Sequence, residues 1–321
     1  MAKYRNSLPQ LGGQLFITDG GLETTLIFHD GFELPYFAAF DLLNNPQGYR
    51  VIRRYYQRYA EIARQRQQGF ILESPTWRAS PDWAEKLGYT ASMLTEINRR
   101  SIDLLAQVRN DYETALTPMV ISGCVGPRGD GYDPGRIMTA DQAEQYHRAQ
   151  IAAFGTTEVD LITAITMTNI PEAIGIVRAA QAEQMPVVIS FTTETDGRLP
   201  TGQTLAEAIE TVDRETGNAP VYYMINCAHP QHFDQALNEE ADWLARIGGI
   251  RANASTKSHA ELDEAEELDS GNPAELGQQY RTLRQMLPNL TVVGGCCGTD
   301  HRHIEAISAA CCGDLSAAVA Q

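Results

Sequence analysis

Eight short apolar runs rich in β-branched residues recur along the chain, separated by longer stretches whose apolar residues follow helical spacing. The runs are Leu15–Thr18, Phe70–Glu73, Met119–Cys124, Val159–Ile165, Pro186–Thr192, Val221–Cys227, Gly249–Asn253 and Leu290–Gly294. Runs this short and continuous read as buried strands, because a strand covered on both faces needs apolar side chains at every position. Between them, Val51, Tyr55, Tyr59 and Ile62 predict a helix from Tyr49 to Gln67. Further helices are predicted over Ser92 to Thr114, Ala140 to Phe154 (capped by Thr139 or Asp141), from Pro171 onward, and over Thr204 to Thr216. The last three are predicted over Gln231 to Ala245, Pro273 to Met286 and His301 to Ala310. Strand and helix alternating eight times in 321 residues predict a single-domain (β/α)₈ barrel of the TIM type spanning residues 1–321. A doubly wound open sheet is the rival. Its first strand would normally lead into G-x-G-x-x-G, and Asp19-Gly-Gly-Leu-Glu23 lacks that spacing.

Composition narrows the function. The net charge of −16, from 41 acidic against 25 basic residues, argues against a nucleic-acid or anionic-membrane surface. No apolar run is long enough to cross a bilayer, and the first ten residues lack a signal-peptide core. Six cysteines without an export signal point to a reducing, cytoplasmic setting in which thiols are available to metal.

The chemistry-bearing residues lie just past strand ends, where barrel active sites are built. Val221–Cys227 ends on a cysteine, and Leu290–Gly294 leads into Gly-Cys296-Cys297-Gly. Adjacent cysteines are poorly placed to bond each other, so metal binding explains the pair better than oxidation does. Three thiolates offer Zn²⁺ three soft ligands and leave a fourth tetrahedral position open. Such an electron-rich ion activates water poorly, but it suits a substrate thiol as fourth sulfur, deprotonated and nucleophilic at neutral pH. Cys124 reads as a buried strand-end residue, and Cys311-Cys312 as part of a terminal helix. The same rim receives Asp19-Gly20-Gly21, Glu73, Trp77, Arg78, Gly123–Pro127, Glu194, Asp196, Arg198 and Asn226. Glycines beside Asp19 let backbone approach a ligand, although a turn of positive φ would use them equally. His229 reads as a loop or supporting residue beside Cys227, and His301 and His303 as caps or exposed residues. No His-Glu-x-x-His spacing favours a zinc hydrolase.

These motifs, Asp19-Gly-Gly, Gly123-Cys-Val-Gly-Pro127, Asn226-Cys227 and Gly294-Gly-Cys-Cys-Gly-Thr299, resemble the homocysteine S-methyltransferase family over nearly the whole chain. The resemblance implies zinc on Cys227, Cys296 and Cys297. It also implies that Asp19, with backbone at Gly20 and Gly21, holds the amino-acid end of a thiol substrate, and that a small-molecule donor supplies the methyl group. One departure stands out. Family members carry Asp-Leu-Leu-Ala-x-Glu-Thr-x-x-Asn at strand four, whereas here Asp160-Leu-Ile-Thr-Ala-Ile165-Thr-Met-Thr-Asn169 puts Ile165 where the carboxylate would meet the substrate ammonium. Either Glu73 or Glu194 substitutes for it, or the acceptor is another small thiol or selenol. Outside catalysis, a zinc barrel that binds a thiol without turnover would need the same cysteines.

Overall fold

The computed structural model describes residues 2–237, 241–265 and 267–312. Eight parallel strands close a barrel in sequence order. They are β1 (Phe16–Ile17), β2 (Gly69–Glu73), β3 (Met119–Val125), β4 (Leu161–Met167), β5 (Val187–Phe191), β6 (Tyr222–Asn226), β7 (Ile247–Ala252) and β8 (Val292–Gly295). Closure is made by β1 against β8, with Phe16 opposite Val292. Each strand falls within two residues of its predicted bounds.

Seven of the connections carry a long helix: α1 (Pro46–Arg66), α2 (Ala91–Tyr112), α3 (Ala140–Gly155), α4 (Ile170–Ala182), α5 (Leu205–Thr216), α6 (Pro273–Met286) and, after β8, α7 (His301–Cys311). Thr139, not Asp141, caps α3, exchanging hydrogen bonds with Gln142 in a capping box. Pro171 sits in the first turn of α4, where its missing N–H costs nothing. The helix predicted from Gln231 to Ala245 is a correction. Only Pro230–Phe233 is α-helical, followed by 3₁₀ turns at Asp234–Leu237 and Asp242–Arg246. Phe233 and Leu237 are one turn apart and buried, but the next buried pair is Trp243 and Leu244. The backbone at Ala241, four residues past Leu237, is extended, which interrupts the helix before the second 3₁₀ turn. Among the described residues no helix is long and apolar enough to cross a membrane.

Period-two alternation divides every strand between two cores. Ile17, Phe70, Leu72, Met119, Ile121 and Ile189 belong to the larger cluster shared with the helices. Phe16, Ile71, Val120, Leu161, Val188 and Val292 form a second cluster with Leu8, filling the lower barrel interior. Full burial of side chains this size contributes about 1.5–3 kcal/mol each. Two residues further along the same inward rows the chemistry changes to Thr18, Glu73, Ser122, Thr163, Ser190 and Arg251, all buried and polar. The Ser122 and Thr163 hydroxyls bond each other at 2.7 Å, and Ser190 donates to Asn226 Oδ1 at 2.6 Å. The row on β8 needs a glycine here, since a Cβ on Gly294 would stand 1.8 Å from Thr18 Oγ1. This polar layer is the floor of the site.

Candidate active site

Above the floor lies a cavity of about 340 Å³, bounded by Asp19, Glu23, Glu73, Arg251 and the three cysteines, among others. Strand β7 brings the cysteines together. Cys227 N–H donates to Arg251 O (3.1 Å), Cys296 N–H to Ala252 O (2.9 Å), and Cys297 O accepts from Ala254 N–H (3.0 Å). The three sulfurs consequently lie within 4.8 Å of one another. Tetrahedral zinc with Zn–S near 2.3 Å would separate its sulfurs by roughly 3.8 Å, so the donor set fits a soft divalent ion. One difference from the sequence reading is plain. Cys227 and Cys296, with Cα atoms 5.3 Å apart, are joined as a disulfide, while Cys297 is free of any disulfide. A metal needs both as thiolates, so the oxidised pair and the metal exclude each other.

Backbone strain concentrates at this point. Cys227 (φ 53°) and Thr166 (φ 65°) are non-glycine residues in the left-handed region, at the ends of β6 and β4. Asn226 holds both ends: Oδ1 accepts from Thr166 N–H (3.0 Å) and Nδ2 donates to Thr166 Oγ1 (2.8 Å). Nδ2 also reaches Cys296 Sγ at 3.9 Å. Asn226 is fully buried and lies outside the cavity wall, where its amide meets protein groups. Its amide is consumed in positioning β4 and the cysteines.

Asp19 lines the cavity, but both its oxygens are engaged. Arg251 Nη2 donates to Oδ1 at 2.7 Å, and the Tyr55 hydroxyl donates to Oδ2 at 2.9 Å. Burial pushes its carboxyl up, against the pull of Arg251 and Tyr55. Gly21 packs on the cysteine turn, where an added Cβ would lie 2.7 Å from Cys296 O. Its N–H is already given to Thr299 O at 3.0 Å, and Gly20 O accepts from Tyr55 and Arg251. Glu73 faces inward from β2, with Oε2 sealed and without a hydrogen bond. Burial raises its carboxyl to about 7 in spite of Arg251. Glu194 is a second correction. It accepts from His259 Nδ1 at 3.3 Å, its side chain is 37% exposed, and it is not part of the cavity wall. Its loop bonds back on itself through Glu194 N–H to Arg198 O, which turns the carboxylate outward.

The histidines support the frame. His259 Nε2–H donates to Cys227 O (2.7 Å), and the ring stacks on Tyr132, whose hydroxyl lies 3.3 Å from Cys297 Sγ. His229 caps the short helix after β6 through Nδ1, in keeping with a loop role. His303 caps α7 but is fully buried, bonded to Asp300 and to Ser270 O, and so is not exposed. Trp77 lines the cavity and donates to Ile165 O at 3.2 Å. Ile165 itself presents an apolar wall.

A closed barrel carrying three convergent cysteines beside a buried cavity defines a candidate metal-dependent enzyme of thiol chemistry. The homocysteine S-methyltransferase family profile matches residues 16–311, and the chain belongs to that family. Homocysteine S-methyltransferase 1 of Brassica oleracea var. italica is 22% identical over 315 residues, covering 92% of this chain and 93% of its own. Selenocysteine Se-methyltransferase from the same plant is 24% identical over 324 residues, covering 94% and 89%. The fold is shared with the homocysteine methyltransferase MmuM from Escherichia coli. Its oxidized form superposes with a TM-score of 0.72 at 19% identity, over 92% of this chain and 95% of that one. Its metallated form gives 0.71 at 18% identity, over 94% and 98%.

Two cavity residues carried no signal as site residues in the sequence. Arg251 lies two positions above the glycine that faces the barrel interior from β7, so strict alternation would have pointed it inward. Glu23 closes Asp-Gly-Gly-Leu-Glu, outside the predicted strand and helices.

Proposed function

We propose that this protein is a zinc-dependent S-methyltransferase acting on a thiol bound beside Cys227, Cys296 and Cys297, with homocysteine as acceptor and methionine as product. The observation that carries the proposal is the convergence of those three sulfurs at the wall of one cavity. Reduced to thiolates, they would hold zinc, which when bound keeps an acceptor sulfur deprotonated at neutral pH. The acceptor sulfur donates an electron pair to the methyl carbon of a sulfonium or quaternary ammonium donor. The old carbon–sulfur or carbon–nitrogen bond breaks toward the donor, which leaves as a neutral thioether or amine, and the thiol proton goes to solvent.

The chain's own residues prepare the step. Asn226 fixes the ends of β4 and β6, His259 and Tyr132 brace Cys227 and Cys297, and Arg251 neutralises Asp19 beneath the cavity. Glu73, placed inside the barrel and raised to about 7, carries only part of its negative charge at neutral pH. The need for reduced thiols supports a cytoplasmic setting. A selenol acceptor is the second reading, supported by the likeness to a selenocysteine Se-methyltransferase.

The test is a matrix of acceptors (homocysteine, selenohomocysteine, selenocysteine) against S-methylmethionine, S-adenosylmethionine and glycine betaine, run on reduced, zinc-loaded protein and read by mass spectrometry. Methionine should form with at least one donor. Absence of any methylated thiol or selenol would overturn the proposal.

A further inference from the structure

We propose that Glu23 holds the α-ammonium of the acceptor amino acid. This specificity role rests on the methyl-transfer reading above.

An amino-acid acceptor brings a cation into the cavity, and a cation taken from water needs a carboxylate with an open oxygen. The residues around the cavity can be sorted on that requirement. Asp19 has both oxygens engaged by Arg251 and Tyr55. Asp130 is held by Arg78 and by the backbone of Tyr132 and Asp133. Asp269 accepts from Ser255 and Gly271. Glu73 has one oxygen sealed away from any ligand. Position 165, on the facing strand, is isoleucine. Glu23 lines the cavity, is half-buried, and its carboxylate accepts only from its own backbone N–H, with no hydrogen bond or ion pair to any other described residue. Glu267 also lacks a partner but is exposed at the rim.

Position completes the case. Glu23 lies between Gly21, which packs on Cys296 O, and Thr24, whose Oγ1 accepts from Gly298 N–H at 3.1 Å. The short helix Leu22–Thr24 is therefore pinned to the cysteine turn on both sides of Glu23. A thiol whose sulfur sits at the cysteines and whose ammonium lies a few bonds away ends within this segment's reach. Burial pushes the Glu23 carboxyl up to about 7, with Asp19 adding to the rise and its own backbone N–H, Arg251 and Arg78 opposing it. A bound ammonium would hold it ionised.

The test compares homocysteine with 4-mercaptobutanoate, the same skeleton without the ammonium, in wild type, Glu23→Gln and Glu23→Ala. Loss of a charge-assisted hydrogen bond predicts a rise of about ten- to a hundredfold in the KM for homocysteine, with kcat nearly retained. The KM for 4-mercaptobutanoate should move by less than about threefold. Homocysteine should also raise the melting temperature of zinc-loaded wild type more than that of either variant, a readout independent of turnover. Equal effects on the two thiols, or a shift confined to the donor's KM, would overturn the assignment. Should wild type methylate no thiol at all, the methyl-transfer reading fails first. Protection by homocysteine that is equal in wild type and both variants would then refute the Glu23 role on its own.

Discussion

The two ends of the barrel use the same residue types to opposite effect. At the N-terminal end of β4, Asp160 is fully buried and meets every demand of its carboxylate. Tyr4 N–H donates at 2.7 Å, Ile121 N–H at 2.9 Å and Arg109 Nη1 at 2.9 Å. At the other end Asp19 and Arg251 form a comparable buried pair, yet Glu23 has no partner beyond its own backbone N–H and one oxygen of Glu73 has none. Burial raises Asp160, Asp19, Glu23 and Glu73 alike. What differs is satisfaction. A carboxylate needed only for folding is surrounded by donors, whereas an open one carries a cost that a ligand can offset.

Breaking the lower cluster gives the largest effect on stability. Asp160→Ala should cost about 3–5 kcal/mol, because it leaves the Arg109 guanidinium with only the more exposed Glu158 and strips the Tyr4 and Ile121 N–H groups of their acceptor. The turnover of the fraction that stays folded should not change. Denaturant unfolding with activity per folded molecule checks this, and a loss below 1 kcal/mol would show the lower pair to be dispensable.

Glu73→Gln sharpens the contrast through pH. The folded carboxyl titrates near 7, above its ordinary value of about 4.3, so the native state holds a proton that the unfolded chain releases first. Wild-type stability from this group is therefore lost as pH rises from about 4.3 to 7. The glutamine variant has no such loss. Its stability relative to wild type should climb between pH 5 and 8 by something on the order of 3 kcal/mol. A constant difference across that range would mean that Glu73 is ionised and satisfied in the fold.

The smallest of the three is Asn226→Ala. Removing the amide frees the ends of β4 and β6, and supporting contacts of this kind change metal affinity by about 10–100-fold. Competition with a chelator on reduced protein measures it. Unchanged affinity would leave Asn226 as a folding residue only.

Much of the architecture was readable because barrel strands, covered on both faces, spell themselves as continuous Val, Ile and Leu runs. The cysteines were readable as well, since strand ends are where a barrel presents chemistry. Other features depend on contacts remote in sequence. Alternation along β7 points Arg251 inward, but its role emerges only when Asp19, 232 positions away, is seen to meet it. Glu194 follows β5 by three residues and Cys227 follows β6 by one, and nothing local tells that the Glu194 carboxylate meets His259. The segment after β6 keeps helical spacing through Phe233, Leu237, Ala241 and Leu244, yet Ala241 is extended, a break that the residue pattern does not announce. Ile165 was visible as a departure, but Glu23 as its counterpart emerges only when the cavity wall is assembled.

The metal centre is tested most directly by counting zinc in anaerobically reduced protein, by elemental mass spectrometry, across wild type and the single alanine variants of Cys227, Cys296, Cys297 and Cys311. Wild type should hold one zinc per chain, each of the first three variants should lose it, and Cys311→Ala, altered on the far side of α7's packing against the barrel, should keep it. Full zinc retention by Cys296→Ala, or loss of zinc from Cys311→Ala, would contradict a metal centre built on Cys227, Cys296 and Cys297.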